Sequence, residues 1–301
     1  MEKGIEKEET GGESLKKILA EVLRKKYFYI AIIAVFALFI LTREPVFALV
    51  AAGLLIVLLA AEIYVGAGTS GWAHEIKETV IAILAAVAIW LALGFLLNTS
   101  SPLDAVVSCS MLPNLERGDM VLLQDADPSA PEVNVSREDW GRAVEDLKKM
   151  QPVCVGGKIS TTDGLVSFEC GLCRQKNPST GALAEIPCVK SVTIAGSRIA
   201  PSLENDIIVY EPLPSDFFAR SGAIIHRVVA VVNVEGARYY LTKGDNSAAF
   251  DVQGGNSPVQ RERVKGRVVL RIPYVGYVKL FMSGLFDTPP GCDKIIINDG
   301  Q

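Results

Sequence analysis

Thr79–Leu97 reads TVIAILAAVAIWLALGFLL, 19 residues without one charged side chain. At about 1.5 Å of rise per residue, a helix of this length covers about 28 Å, close to the bilayer's hydrocarbon core of about 30 Å. Two more apolar runs lie toward the N-terminus. One is Val46 to Ala61, extendable past Glu62 to Val65, and the other is Tyr27 to Thr42. The latter is short for a span unless Lys25 and Lys26 reach up to the headgroups. Three such runs leave no polar face of the kind a helix in a water-soluble bundle needs. The expectation is therefore three transmembrane helices, at about 27–42, 46–65 and 79–97, with Thr42-Arg43-Glu44-Pro45 as a tight turn.

Charge placement orients them. Lys16, Lys17, Arg24, Lys25 and Lys26 crowd the first run, and after Leu97 no Lys or Arg occurs before Arg117. The positive-inside rule puts the N-terminus in the cytoplasm and everything after the third span outside. Leu15, Ile18, Leu19, Val22 and Leu23 recur at helical spacing among lysines. They read either as an interfacial amphipathic helix or as a cytoplasmic extension of the first span, behind a charged tail at Met1–Glu13. A cleaved leader is not expected, since the first apolar run starts late and further runs follow. Across the chain, half of the 301 residues are apolar, 21% are charged and the net charge is −4. That excludes a disordered chain and argues against a nucleic-acid partner, which calls for a basic face. With only His74 and His226 available, a multi-histidine metal site is not expected.

Beyond Asn98 the character changes. Met120–Leu123, Ile207–Tyr210, Ala223–Val232, Tyr239–Thr242 and Val264–Ile272 are rich in Val, Ile and Tyr and are separated by Gly, Asn, Asp and Pro. They predict a mostly-β domain built from residues 98–123 and 196–286, with 287–301 as a tail. An inserted subdomain is expected over 124–195. It opens with a linker at Asp125–Pro131. Ser136 and Asp139 predict a helix start, Trp140, Val144, Leu147 and Met150 its apolar stripe, and Pro152 its stop. Cys154, Cys170, Cys173 and Cys188 follow, in a C-x15-C-x2-C-x14-C spacing. Two disulfides, a structural zinc site and free thiols all fit that spacing.

Chemistry concentrates in a few short segments. Ser108-Cys109-Ser110-Met111-Leu112-Pro113 comes soon after the third span, followed by Gly118-Asp119-Met120-Val121. Asn205-Asp206-Ile207-Ile208-Val209-Tyr210, Ile225-His226-Arg227-Val228, Thr242-Lys243-Gly244-Asp245-Asn246 with Asp251, and finally Gly266-Arg267 with Pro273-Tyr274-Val275-Gly276 complete the set. A serine hydroxyl becomes a good nucleophile when an imidazole takes its proton and a carboxylate orients that imidazole. Ser, His and Asp occur here in that chain order, but most domains contain all three types. The joint pattern says more.

In order and content these boxes resemble the type I signal peptidases, in the branch found in archaea and the endoplasmic reticulum, where His226 stands at the position that bacterial relatives fill with lysine. The resemblance covers Ser108–Leu123 and Asn205 to about Leu280. It implies an all-β catalytic domain that removes signal peptides from secretory preproteins at the outer membrane face. Ser110 would be the nucleophile, His226 the general base, Asp251 the carboxylate that orients it, and Asp245 a supporting group. Ser108 and the Ser110 N–H would form the oxyanion hole. Lys243 would be structural. The partners implied are signal peptides, the lipid bilayer and the protein-translocation machinery. No cofactor is implied. The location implied is the archaeal plasma membrane, or the endoplasmic reticulum in a eukaryote. Cys109 stands where the family usually has Gly and would narrow the oxyanion hole. Asn205 replaces the Gly before Asp206, and Asn also tolerates the left-handed region. Thirteen residues separate Ser110 from Leu97, a reach of at most about 45 Å. A substrate of small side chains emerging from the bilayer would bind as an extended strand. The alternatives are an inactive homologue serving as a binding or assembly subunit, and a membrane-anchored metal or redox protein built on the cysteines.

Overall fold

The computed structural model describes residues 11–42, 45–69, 71–147, 149, 154, 157–285 and 287–297. The chain divides into two compact units, 1–92 and 93–301.

The first unit is helical: α1 (Gly11–Arg24), α2 (Tyr27–Thr42), α3 (Pro45–Thr69) and the start of α4 (Trp72–Leu96). Two helices are long and apolar enough to cross a membrane, over Leu49–Gly68 and Trp72–Leu96, and Tyr27–Phe39 is a shorter apolar segment. The outermost apolar run thus begins its helix seven residues before the expected Thr79. The polar turn is helical because it supplies its own bonds: His74 Nε2 lies 3.1 Å from Glu78 Oε1, and Thr79 Oγ1 donates to the Glu75 carbonyl at 2.8 Å. Pro45 opens α3, a position that needs no N–H donor. Glu62, the one carboxylate within the second apolar run, accepts a hydrogen bond from Tyr29 of α2.

The second unit is mostly β. Its strands are β1 (Leu103–Ala105), β2 (Met120–Gln124), β3 (Glu132–Asn134), β4 (Lys158–Ser160), β5 (Val166–Lys176), β6 (Leu183–Ile194), β7 (Ser197–Ile199), β8 (Ile207–Tyr210), β9 (Ile224–Val234), β10 (Ala237–Lys243), β11 (Val259–Gln260), β12 (Val264–Ile272) and β13 (Ile295–Ile297). Two helices accompany them, α5 (Arg137–Leu147) and α6 (Tyr277–Met282). One sheet runs β1-β2-β12-β8-β9-β10-β11 in space, with β3 added in parallel to β9 where β8 ends. The other runs β13-β5-β6-β7, with β4 on β5.

Strand β9 organises the unit. Its near-continuous apolar run is covered on both faces, as such runs usually are. Val229, Ala230, Val232 and Val234 face a core shared with Val166, Phe168, Val192 and Ile194 of the second sheet and with Trp140 and Leu147 of α5. Val228 and Val231 face a separate cluster with Ile208, Tyr210 and Tyr240. Residues 124–195, expected as an insertion, are therefore integrated: β3 extends the first sheet and β5–β6 close its core. Helix α5 begins as its sequence predicts, with Ser136 Oγ accepting from the Asp139 N–H at 3.2 Å and donating to the Asp139 carboxylate at 2.6 Å. Met150 and Pro152 lie outside the described residues.

The four cysteines form Cys154–Cys170 and Cys173–Cys188 disulfides. That removes the zinc alternative, because a sulfur bonded to sulfur offers no thiolate to a metal. A third disulfide joins Cys109 to Cys292. The segment expected as a C-terminal tail is accordingly tied down twice, by this bond and by β13 pairing with Arg174–Lys176 of β5.

Candidate active site

The loop between β1 and β2 carries Ser108 and Ser110. Met111 pins it, with 1% of its surface exposed among Val106, Leu115, Val121, Leu123 and Val209. Gly118 lets the loop turn back at φ 92°, where any Cβ would collide with the Tyr277 ring. Buried Asp119 closes the loop, accepting from the Glu116 N–H at 2.7 Å and facing Arg271 Nε at 2.6 Å.

Three elements converge on Ser110. Its Oγ lies 2.9 Å from Nε2 of His226 on β9. His226 Nδ1 is 2.8 and 2.7 Å from the two oxygens of Asp251, at the head of a short 3₁₀ turn. A carboxylate can only accept, so Nδ1 carries the proton and the Nε2 lone pair faces the serine hydroxyl. Asp251 Oδ2 also accepts from the Tyr210 hydroxyl at 2.9 Å and from Thr242 Oγ1 at 2.5 Å. Burial, and then the Asp251 charge, push the Tyr210 phenol well above its ordinary value, so it stays a donor. His226 and Asp251 are both buried.

The remaining residues take distinct places. Ser108 Oγ is 3.1 Å from Ser110 Oγ, and the Ser110 N–H makes no hydrogen bond to the described residues. Asp245 makes no hydrogen bond to the imidazole. It holds Arg227 through two bonds of 2.8 and 2.7 Å and accepts from Asn114 at 2.8 Å, while Arg227 Nη1 donates to the carbonyls of Leu203 and Asn205. Gly244 lets β10 pass close by, since a Cβ there would sit 2.7 Å from the Ser110 carbonyl and 3.0 Å from His226 Nε2. Lys243 is buried, donates to the Gly244 carbonyl at 3.3 Å, and is lowered to about 8, chiefly by burial. Beside Ser110 and His226 opens a cleft of about 480 Å³, walled by small and apolar side chains including Val107, Ala223, Ile225, Ala248 and Ala249.

Sequence reasoning assigned no role to Tyr210, Thr242, Asn246 or Cys292. The first three lie inside the quoted boxes, and that was their signal. Cys292 had none. Cys109 is bonded to Cys292, so it presents no reactive thiol.

No family model matches the chain. The signal peptidase complex catalytic subunit of Verticillium alfalfae is 35% identical over 81 residues, 26% of this chain and 44% of that protein. The subunit of the same name from Schizosaccharomyces pombe is 25% identical over 195 residues, covering 64% of this chain and 72% of its own. The chain is thus similar, over these residues, to signal peptidase catalytic subunits. An uncharacterized protein of Methanocaldococcus jannaschii is 28% identical over 196 residues, 61% of this chain and 84% of that protein. The match spans less than half the length of the Verticillium subunit. Every signal-peptidase box read from the sequence falls within the second unit, and the serine, histidine and aspartate boxes meet at one cleft.

Proposed function

We propose that this chain is a membrane-bound serine endopeptidase that removes N-terminal signal peptides from secretory preproteins. The observation that carries the reading is the unbroken hydrogen-bond chain from Ser110 through His226 to Asp251 at the mouth of a cleft with small apolar walls. In this mechanism His226 takes the Ser110 proton as the hydroxyl attacks the scissile carbonyl, and then delivers it to the leaving amine. Asp251, held by Tyr210 and Thr242, stabilises the imidazolium between the two steps. The Ser110 N–H and the Ser108 hydroxyl receive the negative oxygen, each such donor contributing about 3 kcal/mol in comparable sites. Asp245 and Arg227 act behind the site as a brace. The small-residue end of a signal peptide suits the cleft, with the peptide laid down as a strand. The membrane helices hold the enzyme on the bilayer from which that peptide emerges, with the β unit on the outer face.

The test is cleavage of a model preprotein by the full chain reconstituted in lipid vesicles, beside its Ser110→Ala variant. The wild-type chain is expected to release the mature protein and the variant to release none above background. Equal, negligible cleavage by both would favour the inactive, binding-subunit reading.

A further inference from the structure

Asn246 bridges two parts of the chain that are far apart in sequence. Its backbone N–H donates to the Ser110 carbonyl at 2.7 Å. Its side-chain Nδ2 donates to the Cys109 carbonyl at 3.0 Å and to the Lys294 carbonyl at 2.7 Å, and its Oδ1 accepts from the Ile296 N–H at 2.8 Å. The Cys109–Cys292 disulfide makes the same connection covalently, across 183 residues of sequence and with the Cα atoms 5.0 Å apart. Strand β13 is itself fixed, because it pairs with β5 and Ile296 packs on the Cys173–Cys188 disulfide.

The consequence lies in one peptide group. The Cys109 carbonyl and the Ser110 N–H belong to the same planar unit, so whatever fixes the direction of one fixes the other. The disulfide anchors the Cα at one end of that plane, and Asn246 holds its oxygen. The N–H that remains points with no hydrogen-bond partner among the described residues.

We propose that the Cys109–Cys292 disulfide and Asn246 are positioning elements that aim the Ser110 N–H at the substrate oxyanion, making the C-terminal segment part of the active site. This rests on the reading of Ser110 as the nucleophile. A misaimed donor costs transition-state binding and leaves ground-state binding nearly intact, so the loss falls on kcat. Cys292 is partly exposed, so a dithiol can reach the bond. Reduction by dithiothreitol breaks the Cys109–Cys292 bond, leaves a proton on each sulfur and converts the reagent to its cyclic disulfide. Oxidised glutathione reverses this, leaving two glutathione thiols.

The experiment measures kcat and KM for preprotein cleavage by the full chain in vesicles. It compares the oxidised wild type, the dithiothreitol-treated wild type, the same sample reoxidised, Cys292→Ser, and Ser110→Ala as the zero. Folded fraction is followed by near-ultraviolet circular dichroism. Reduction and Cys292→Ser are each expected to lower kcat about 10- to 100-fold with KM within about twofold. Reoxidation should restore only the wild type, and dithiothreitol should lower Cys292→Ser no further. An unchanged kcat in Cys292→Ser or in the reduced wild type, a loss confined to KM, or a loss that tracks the folded fraction overturns the proposal. If the serine variant does not fold, Asn246→Ala, which removes the side-chain bond to the Cys109 carbonyl and leaves all three disulfides intact, takes its place: a kcat loss at unchanged KM supports the proposal, and an unchanged kcat overturns it. If the oxidised wild type cleaves no more than Ser110→Ala, the protease reading falls and this inference with it.

Discussion

Asp251 receives more hydrogen bonds than an orienting carboxylate needs. Both its oxygens face His226 Nδ1, and Oδ2 also accepts from Tyr210 and Thr242. Each donor to a charged acceptor contributes about 1.5–3 kcal/mol. In the proposed mechanism this carboxylate orients the imidazole, and two substitutions test that. Asp251→Asn keeps the shape but offers an amide that can donate, which favours the wrong imidazole tautomer. Single-turnover cleavage in detergent should fall by about 10⁴-fold. His226→Lys replaces the imidazole with a longer amine base. A lysine works as a base only when its ammonium form is disfavoured, and here Asp251 would favour it. The variant is expected to be inactive in the same assay. Near-normal cleavage by the lysine variant would mean that Asp251 does not act on residue 226, and the proposed mechanism would fail.

Strand β10 shows how an element carries both site and cost. Its last residues deliver Thr242 to Asp251 and, through Gly244, clear the space beside Ser110, with a register shift between Leu241 and Thr242 where it meets β9. The same strand buries Lys243, lowered from 10.5 to about 8 by burial against the opposing pull of Asp245 and Asp251. Between those two values the unfolded chain holds a proton that the folded chain has released, so stability should rise with pH in that window. Below pH 8 both forms are protonated and the contribution stays at its minimum. Guanidinium unfolding of the full chain in detergent, with disulfides kept oxidised, should show a gain of about 2 kcal/mol from pH 8 to 9.5. Lys243→Met should lose that rise and be more stable than wild type at pH 7. An unchanged slope in the variant would assign the rise to another group. The other main strands of the first sheet were legible in the sequence for a simple reason: Val- and Ile-rich runs such as 224–232 have few alternatives once turn residues bound them. Strand β13 was not, because three isoleucines are too short a run and their partner, β5, lies more than a hundred residues earlier. The cysteine pairing was hidden likewise. It is chosen by the β5–β6 register, which sets Cys173 opposite Ile186 and Cys188 opposite Gly171, diagonal neighbours that spacing alone does not reveal.

For the whole molecule, the side of the membrane on which the β unit lies depends on the parity of the spans. Two helices have the length and composition to cross, Leu49–Gly68 and Trp72–Leu96. With those two alone, both ends of the helical unit would share one side. Helix α2 decides the matter. Its 16 residues make about 24 Å of helix, short of a core of about 30 Å. Its composition is nonetheless that of a span, without an ionised residue from Tyr27 to Thr42, and Lys25 and Lys26 stand at its entrance, where their long stems can bridge the missing length. Burying a helix end costs a fraction of a kcal/mol per Å of mismatch, whereas leaving so apolar a helix in water forfeits about 25 cal/mol for every Å² it exposes. We propose on this balance that α2 crosses, with the basic cluster from Lys16 to Lys26 keeping the N-terminus inside. Under the proposed three-span topology, Ser110 would lie on the outer side. In intact cells or right-side-out vesicles, an epitope placed before Gly11 should resist added protease until the membrane is opened. A protease site engineered into the Asp125–Pro131 segment should be cut at once. Accessibility of both, or protection of both, would mean an even number of spans, and would put the nucleophile on the side where signal peptides do not emerge.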